Sequence, residues 1–138
     1  MSGDGPVIPQ VFYPDGDESP PRVPEKYVMK INWRLESSAN LREHWRARAA
    51  RARVTREMAW ALCRVQPWME YPAELRVTLK RVAPSAGLDD DNLAAAFKAV
   101  RDGIADKLGL RSDRDPRVSW RYEQARGKWA VEVAIERV

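Results

Sequence analysis

The segment Leu88-Asp89-Asp90-Asp91-Asn92-Leu93 sets three carboxylates side by side, and a second acidic pair follows in Ser112-Asp113-Arg114-Asp115-Pro116. In extended backbone alternate residues share a side, so Asp89 and Asp91 face one way and Asp90 the other, and Asp113 and Asp115 have the same spacing. Like charges at 4 Å repel by about 1 kcal/mol in water and about 4 kcal/mol at an effective dielectric of 20, so a fold that gathered these groups would need protons or cations among them. The chain has one histidine, His44, and one cysteine, Cys63, which excludes a His-rich site, a Cys-based metal cage and an intramolecular disulfide. Oxygen donors alone favour Mg2+ or Mn2+ over Zn2+ or copper. A competing reading has Asp91 or Asn92 capping a helix, with the other aspartates favouring its positive end by about 0.3 to 1 kcal/mol each. An EF-hand loop is excluded, because Leu93 and Ala94 stand where that loop needs a ligand and then glycine.

A second constellation is basic. Arg42, Arg46, Arg48, Arg51, Arg53, Arg56 and Arg64 meet only Glu43 and Glu57 in the same stretch, seven charges against two, which leaves +5. A guanidinium presents a fork that fits phosphate oxygens, so the stretch reads as a track for a nucleic-acid backbone. A solvated helix face is the alternative, and the arginines wrap too far around a helix for all to touch one duplex. His44 reads as a surface or packing residue and Cys63 as a packing residue. Trp33, Trp45, Trp120 and Trp129 fall on core stripes, whereas Trp60 and Trp68 fall outside them.

These residues need elements to hold them. The 138 residues allow one domain. Residues 1–24 hold six of the ten prolines and four acids against Arg22, the composition of a flexible tail, and their charge of −3 leaves +7 of the net +4 on residues 25–138. The absence of a long apolar run and of a signal-like N-terminus points to a cytoplasmic protein with no membrane partner. Tyr27, Met29, Ile31, Trp33 and Leu35 alternate as in a half-buried strand. No Gly or Pro interrupts 38–66, where one long helix of about 40 Å is expected, ended by Pro67. Leu75, Val77 and Leu79 alternate in a second strand. Leu93, Phe97, Val100, Ile104 and Leu108 step along a second helix up to Gly109. Val118, Trp120 and Tyr122, then Trp129, Val131, Val133 and Ile135, read as a closing hairpin around Ala125-Arg126-Gly127. The order β-α-β-α-β-β implies an α+β domain with two helices against one mixed sheet.

The run LDDDNL, the helix segment Lys98-Ala99-Val100-Arg101-Asp102-Gly103-Ile104 and the turn from Asp113 to Val118 together resemble the RusA family of Holliday-junction resolvases, small endonucleases often carried by phages and prophages. The resemblance spans roughly residues 27–135. It implies a homodimer that binds four-way DNA junctions and nicks two opposed strands with Mg2+ or Mn2+. It places Asp89 and Asp91 at metal-ligand positions, with Asp115, or Asp113 in competition, as the later essential aspartate. The family's lysine falls on Ala95 here. Lys98 takes its place if three residues are inserted, which keeps the four-residue spacing to Asp102, turns the helix by about 300° and moves the side chain about 4.5 Å along the axis. In that reading Asp89, Asp91, Asp115 and Lys98 are catalytic, and Arg42, Arg46, Arg48, Arg51, Arg53 and Arg56 bind DNA. A catalytically inactive DNA-binding module and a protein-interaction domain are the competing functions.

Overall fold

Alternating apolar residues do form strands here, and which strand lies beside which is set by how apolar each one is. A computed structural model of the protein describes residues 25–37 and 44–138; the tail expected over 1–24, and Arg42, lie outside the described residues. Within them the order is β1 (Lys26–Ile31), α1 (Trp45–Leu62), a 3-10 turn (Pro67–Met69), β2 (Leu75–Ala83), α2 (Asp90–Ala96), α3 (Lys98–Lys107), β3 (Val118–Arg126) and β4 (Ala130–Arg137). The domain is α+β, as the sequence implies.

The four strands are ordered β1-β4-β2-β3. β4 is antiparallel to both β1 and β2, and β3 is parallel to β2. The expected hairpin between β3 and β4 is therefore not formed. Gly127 N–H donates to Ala83 O at 3.0 Å, so the connection passes over the end of β2 and delivers β4 to the far side of it. A Cβ on Gly127 would lie 3.0 Å from Val82 Cγ1, which shows how closely it passes. The physical reason is burial: Val131, Val133 and Ile135 are fully buried and need a neighbour on each side, whereas β3 beyond Val118 is largely exposed and suits an edge.

One face of the sheet carries Met29, Val77, Leu79, Val133 and Ile135 into the core against Leu93, Phe97, Val100 and Ile104 of the helices. The other face is polar. There Lys30, Glu132, Lys80 and Glu123 lie in register across all four strands, an alternation of sign that keeps this face compatible with water.

Both helical expectations need correction. α1 starts at Trp45, where the His44 side chain caps the helix by accepting from Arg46 N–H at 3.2 Å, and it ends where Cys63 turns extended with ψ 131° and enters the core. It is 18 residues long, about 27 Å. The second helix breaks at Phe97, whose φ −87° and ψ −2° cap both α2 and α3 while its ring is fully buried. Gly109 does end α3: at φ +71° it donates to Asp106 O at 3.1 Å, and Leu110 N–H donates to Ala105 O at 3.0 Å, a Schellman motif.

α1 lies on α3 through Gly103, where an added Cβ would sit 2.9 Å from Ala59 Cβ and closer still to the carbonyl oxygen of Arg56. Beside this crossing Arg56 clamps Asp106 with Nε to Oδ2 at 2.6 Å and Nη2 to Oδ1 at 2.8 Å. The pair is half exposed, so it contributes only about 0.5 kcal/mol; the close helix approach matters more.

Candidate nucleic-acid interface and its acidic rim

Because α1 and α3 approach so closely at Gly103, they form the walls of a cleft of about 900 Å³ that α2 closes at one end. Arg48, Arg51, Arg53 and Arg56 line it from α1, facing Lys98 and Arg101 of α3 and Arg114 of the following loop. Among the described residues Asp102 and Asp113 are the only acids lining it, against seven Lys and Arg side chains. Of the arginines expected to bind DNA, Arg48, Arg51, Arg53 and Arg56 thus converge on one cleft. Arg46 instead stacks on Trp45, 5.1 Å from the ring centroid.

At the floor of the cleft Lys98 Nζ donates to Asp113 Oδ2 at 2.7 Å and to Asp102 Oδ1 at 3.0 Å. Arg101 adds charge beside the same carboxylate: its Nε lies 3.0 Å from Asp113 Oδ2 but is not aligned to hydrogen-bond it, and its Nη2 donates to the Asp113 carbonyl at 3.0 Å. The Trp120 indole donates to that carbonyl at 2.7 Å, and Arg101 Nη1 donates to Tyr122 OH at 2.7 Å. The hydrogen bond from Lys98, ahead of the other nearby cations, holds the Asp113 carboxyl below its ordinary pKa, and that same bond raises the Lys98 pKa. Ala94 and Ala95 line the cleft together with Lys98, so Ala95 and Lys98 border one space in spite of the break at Phe97.

Of the two forms the sequence allows for the acidic run, the extended one is not adopted and a helix cap is. Asp89 is the N-cap of α2: its Oδ1 accepts from Asn92 N–H at 2.8 Å and its Oδ2 from Asn92 Nδ2 at 3.2 Å. Asp90 and Asp91 lie in the first helical turn, exposed, where the positive helix end favours them. Helical geometry removes the shared side that extended backbone would give Asp89 and Asp91. The cap residue is Asp89, where the sequence suggests Asp91 or Asn92. Asp91 stands one helical turn before Ala94 and Ala95, which line the cleft, and does not itself line it. Asp115 closes a tight turn, accepting from Arg117 N–H at 3.0 Å and Arg111 N–H at 3.4 Å, and the bond from Arg117 lowers its pKa most.

The donors are hard carboxylate oxygens suited to Mg2+ or Mn2+, but their arrangement does not fit a bound ion. Among the described residues no three His, Cys, Asp or Glu side chains are gathered as a metal centre needs. Asp89 is engaged with Asn92, Asp113 with Lys98 and Arg101, and Asp115 with two backbone N–H groups.

Sequence patterns miss three contributors. Arg101 is marked only by its three-residue spacing from Lys98, and Tyr122 and Gln124 carry no signal beyond strand alternation. Trp45, expected in the core, is 65% exposed at the start of α1, and His44 beside it is exposed as expected. Cys63 packs as expected, and burial pushes its thiol pKa up to about 11. No helix among the described residues is long and apolar enough to cross a membrane.

No family model matches the chain. A protein of Xylella fastidiosa strain Temecula1, described only as an uncharacterized protein, is 39% identical over 82 residues, which is 56% of this chain and 54% of that relative. The chain therefore spans about half the length of the relative it matches.

Proposed function

We propose that the protein binds branched DNA, the four-way junction in particular, by seating a phosphodiester backbone in the α1–α3 cleft, and that it acts on it as an endonuclease of the RusA type. The observation that carries the binding role is the convergence of Arg48, Arg51, Arg53 and Arg56 on Lys98 and Arg101 across one cleft. Guanidinium forks fix the register of a backbone without reading bases, which suits a ligand recognised by branching. Lys98, 58% exposed although paired, can exchange a carboxylate for a phosphate oxygen without a large desolvation cost. A C2 homodimer in the cytoplasm would present two such clefts to a junction of matching symmetry.

The hydrolytic role rests on the resemblance. It assigns an Mg2+ or Mn2+ ion to Asp89, Asp91 and Asp115, and those carboxylates would first have to be drawn together from the positions described above. A second reading is a catalytically inactive, structure-specific DNA-binding module. It is favoured by the neutralisation of Asp113 by Lys98 and Arg101 and by the engagement of Asp89 in capping.

Incubation with a synthetic four-way junction and Mg2+ or Mn2+ tests both. Paired nicks that disappear in Asp91→Asn, with junction affinity kept or raised, support the endonuclease. Tight binding without product at any metal concentration selects the inactive module, and absence of junction affinity rejects both.

A further inference from the structure

We infer that Gln124 is the positioning residue of the acidic turn: its side-chain amide grips the backbone of Leu88 and so fixes where Asp89–Asn92 stand beside the cleft. β2 and β3 pair up to Ala83 and Arg126, after which the chain leaves the sheet through Pro84–Gly87. Among the described residues Leu88 has no strand partner. Instead Gln124 Oε1 accepts from Leu88 N–H at 2.9 Å, and Gln124 Nε2 donates to Leu88 O at 2.7 Å. One amide thus does what a strand rung would do, holding donor and acceptor of one residue together.

Gly87 supports the same contact from the other side. A Cβ at Gly87 would lie 2.9 Å from Gln124 Oε1 and 3.1 Å from both Cδ and Nε2, so the amide can reach Leu88 only past a residue without a side chain. The residue after Leu88 is Asp89, the cap of α2, so the clamp acts directly on the turn.

Gln124 also completes a pattern. Trp120, Tyr122 and Gln124 alternate along β3 and share the face turned to the helices. Trp120 holds the Asp113 carbonyl, Tyr122 holds Arg101 and Gln124 holds Leu88. One row of one edge strand therefore sets the relative positions of the acidic turn, the cleft arginine and the aspartate beside Lys98. The clamp follows from these contacts, and its catalytic consequence rests on the endonuclease reading.

Amide hydrogen exchange and junction kinetics on the full chain test this with Gln124→Ala, Gly87→Ala and the double variant. Loss of the amide is expected to speed exchange at Leu88 N–H about tenfold and to leave the β4 amides unchanged, a loss on the scale of one or two net hydrogen bonds. Gly87→Ala, which pushes the amide away, should do the same, and the double variant should match Gln124→Ala because no amide is left to displace. On a four-way junction with Mg2+, Gln124→Ala should lower kcat about tenfold with KM unchanged, because the clamp keeps the acidic turn fixed while Asp115, on its own turn, closes on it. Unaltered exchange at Leu88, or faster exchange with wild-type kcat, overturns the assignment. If the wild type cleaves no junction, the endonuclease reading falls, and the exchange result alone upholds or overturns the clamp.

Discussion

Lys98 stands between two carboxylates, 2.7 Å from Asp113 Oδ2 and 3.0 Å from Asp102 Oδ1. Asp113, with a side chain only 11% exposed, is thereby a counter-ion within a basic cleft.

The Asp113 carboxyl lies below its ordinary pKa, chiefly through the Lys98 hydrogen bond. A depressed folded pKa contributes stability that is present above the ordinary value of about 3.9 and lost as pH falls through the folded one. Thermal melts of wild type and Asp113→Asn should differ by a constant amount between pH 5 and 8 and converge as pH falls below about 4. Lys98, whose pKa is raised by the same pair, adds stability that is complete below about 10.4 and is lost only as pH rises through its raised value. A difference between the two proteins that persists undiminished at pH 3 would contradict the pairing.

Gly103→Ala sets two effects against each other. Alanine in a helix interior gains about 1 kcal/mol over glycine, but the added Cβ meets the Arg56 backbone carbonyl and Ala59 Cβ, and overpacking costs about 1 to 3 kcal/mol. Backbone on the far side cannot swing away, so the clash wins. With the Cβ against a backbone carbonyl oxygen the upper end of that cost applies, so a net loss of about 2 kcal/mol in urea or thermal denaturation is expected; a variant as stable as wild type would show that the helices separate freely.

Arg48→Ala and Arg53→Ala should each weaken junction binding and flatten its salt dependence. Every phosphate that loses its cation reduces the logarithmic slope by about 0.9 on duplex arms. Titrations between 50 and 200 mM salt measure this directly. Equal slopes for wild type and both variants would mean that the cleft does not hold backbone.

Burial raises the Cys63 thiol from 9.0 to about 11. At pH 8 the smaller thiolate fraction alone slows attack on a disulfide reagent by about a hundredfold relative to the unfolded chain. Cys63 should therefore react only as fast as the domain opens, and prompt labelling of folded protein would place the thiol outside the core.

Strand and helix positions were legible because they are local. Alternation at Leu75–Leu79 and Val131–Ile135, the three- and four-residue steps from Leu93 to Leu108 and the stop at Gly109 each report periodicity or backbone freedom within a few residues, and these elements formed. Three boundaries were not legible: β1 ends at Ile31, where its pairing with β4 stops although the alternation runs on to Leu35, and the turn into the core at Cys63 and the break at Phe97 answer to burial against distant residues.

From sequence alone came the α+β class, the basic stretch and the acidic run, all properties of residue type and short spacing. Only tertiary structure decided that β4 enters beside β2 rather than pairing with β3, that Arg48, Arg51, Arg53 and Arg56 face Lys98 across a cleft, and that Asp113 is matched to Lys98 and Arg101. Those outcomes depend on which apolar strand claims the centre of the sheet and on how closely α1 can approach Gly103, contacts between segments whose separation along the chain leaves no local trace.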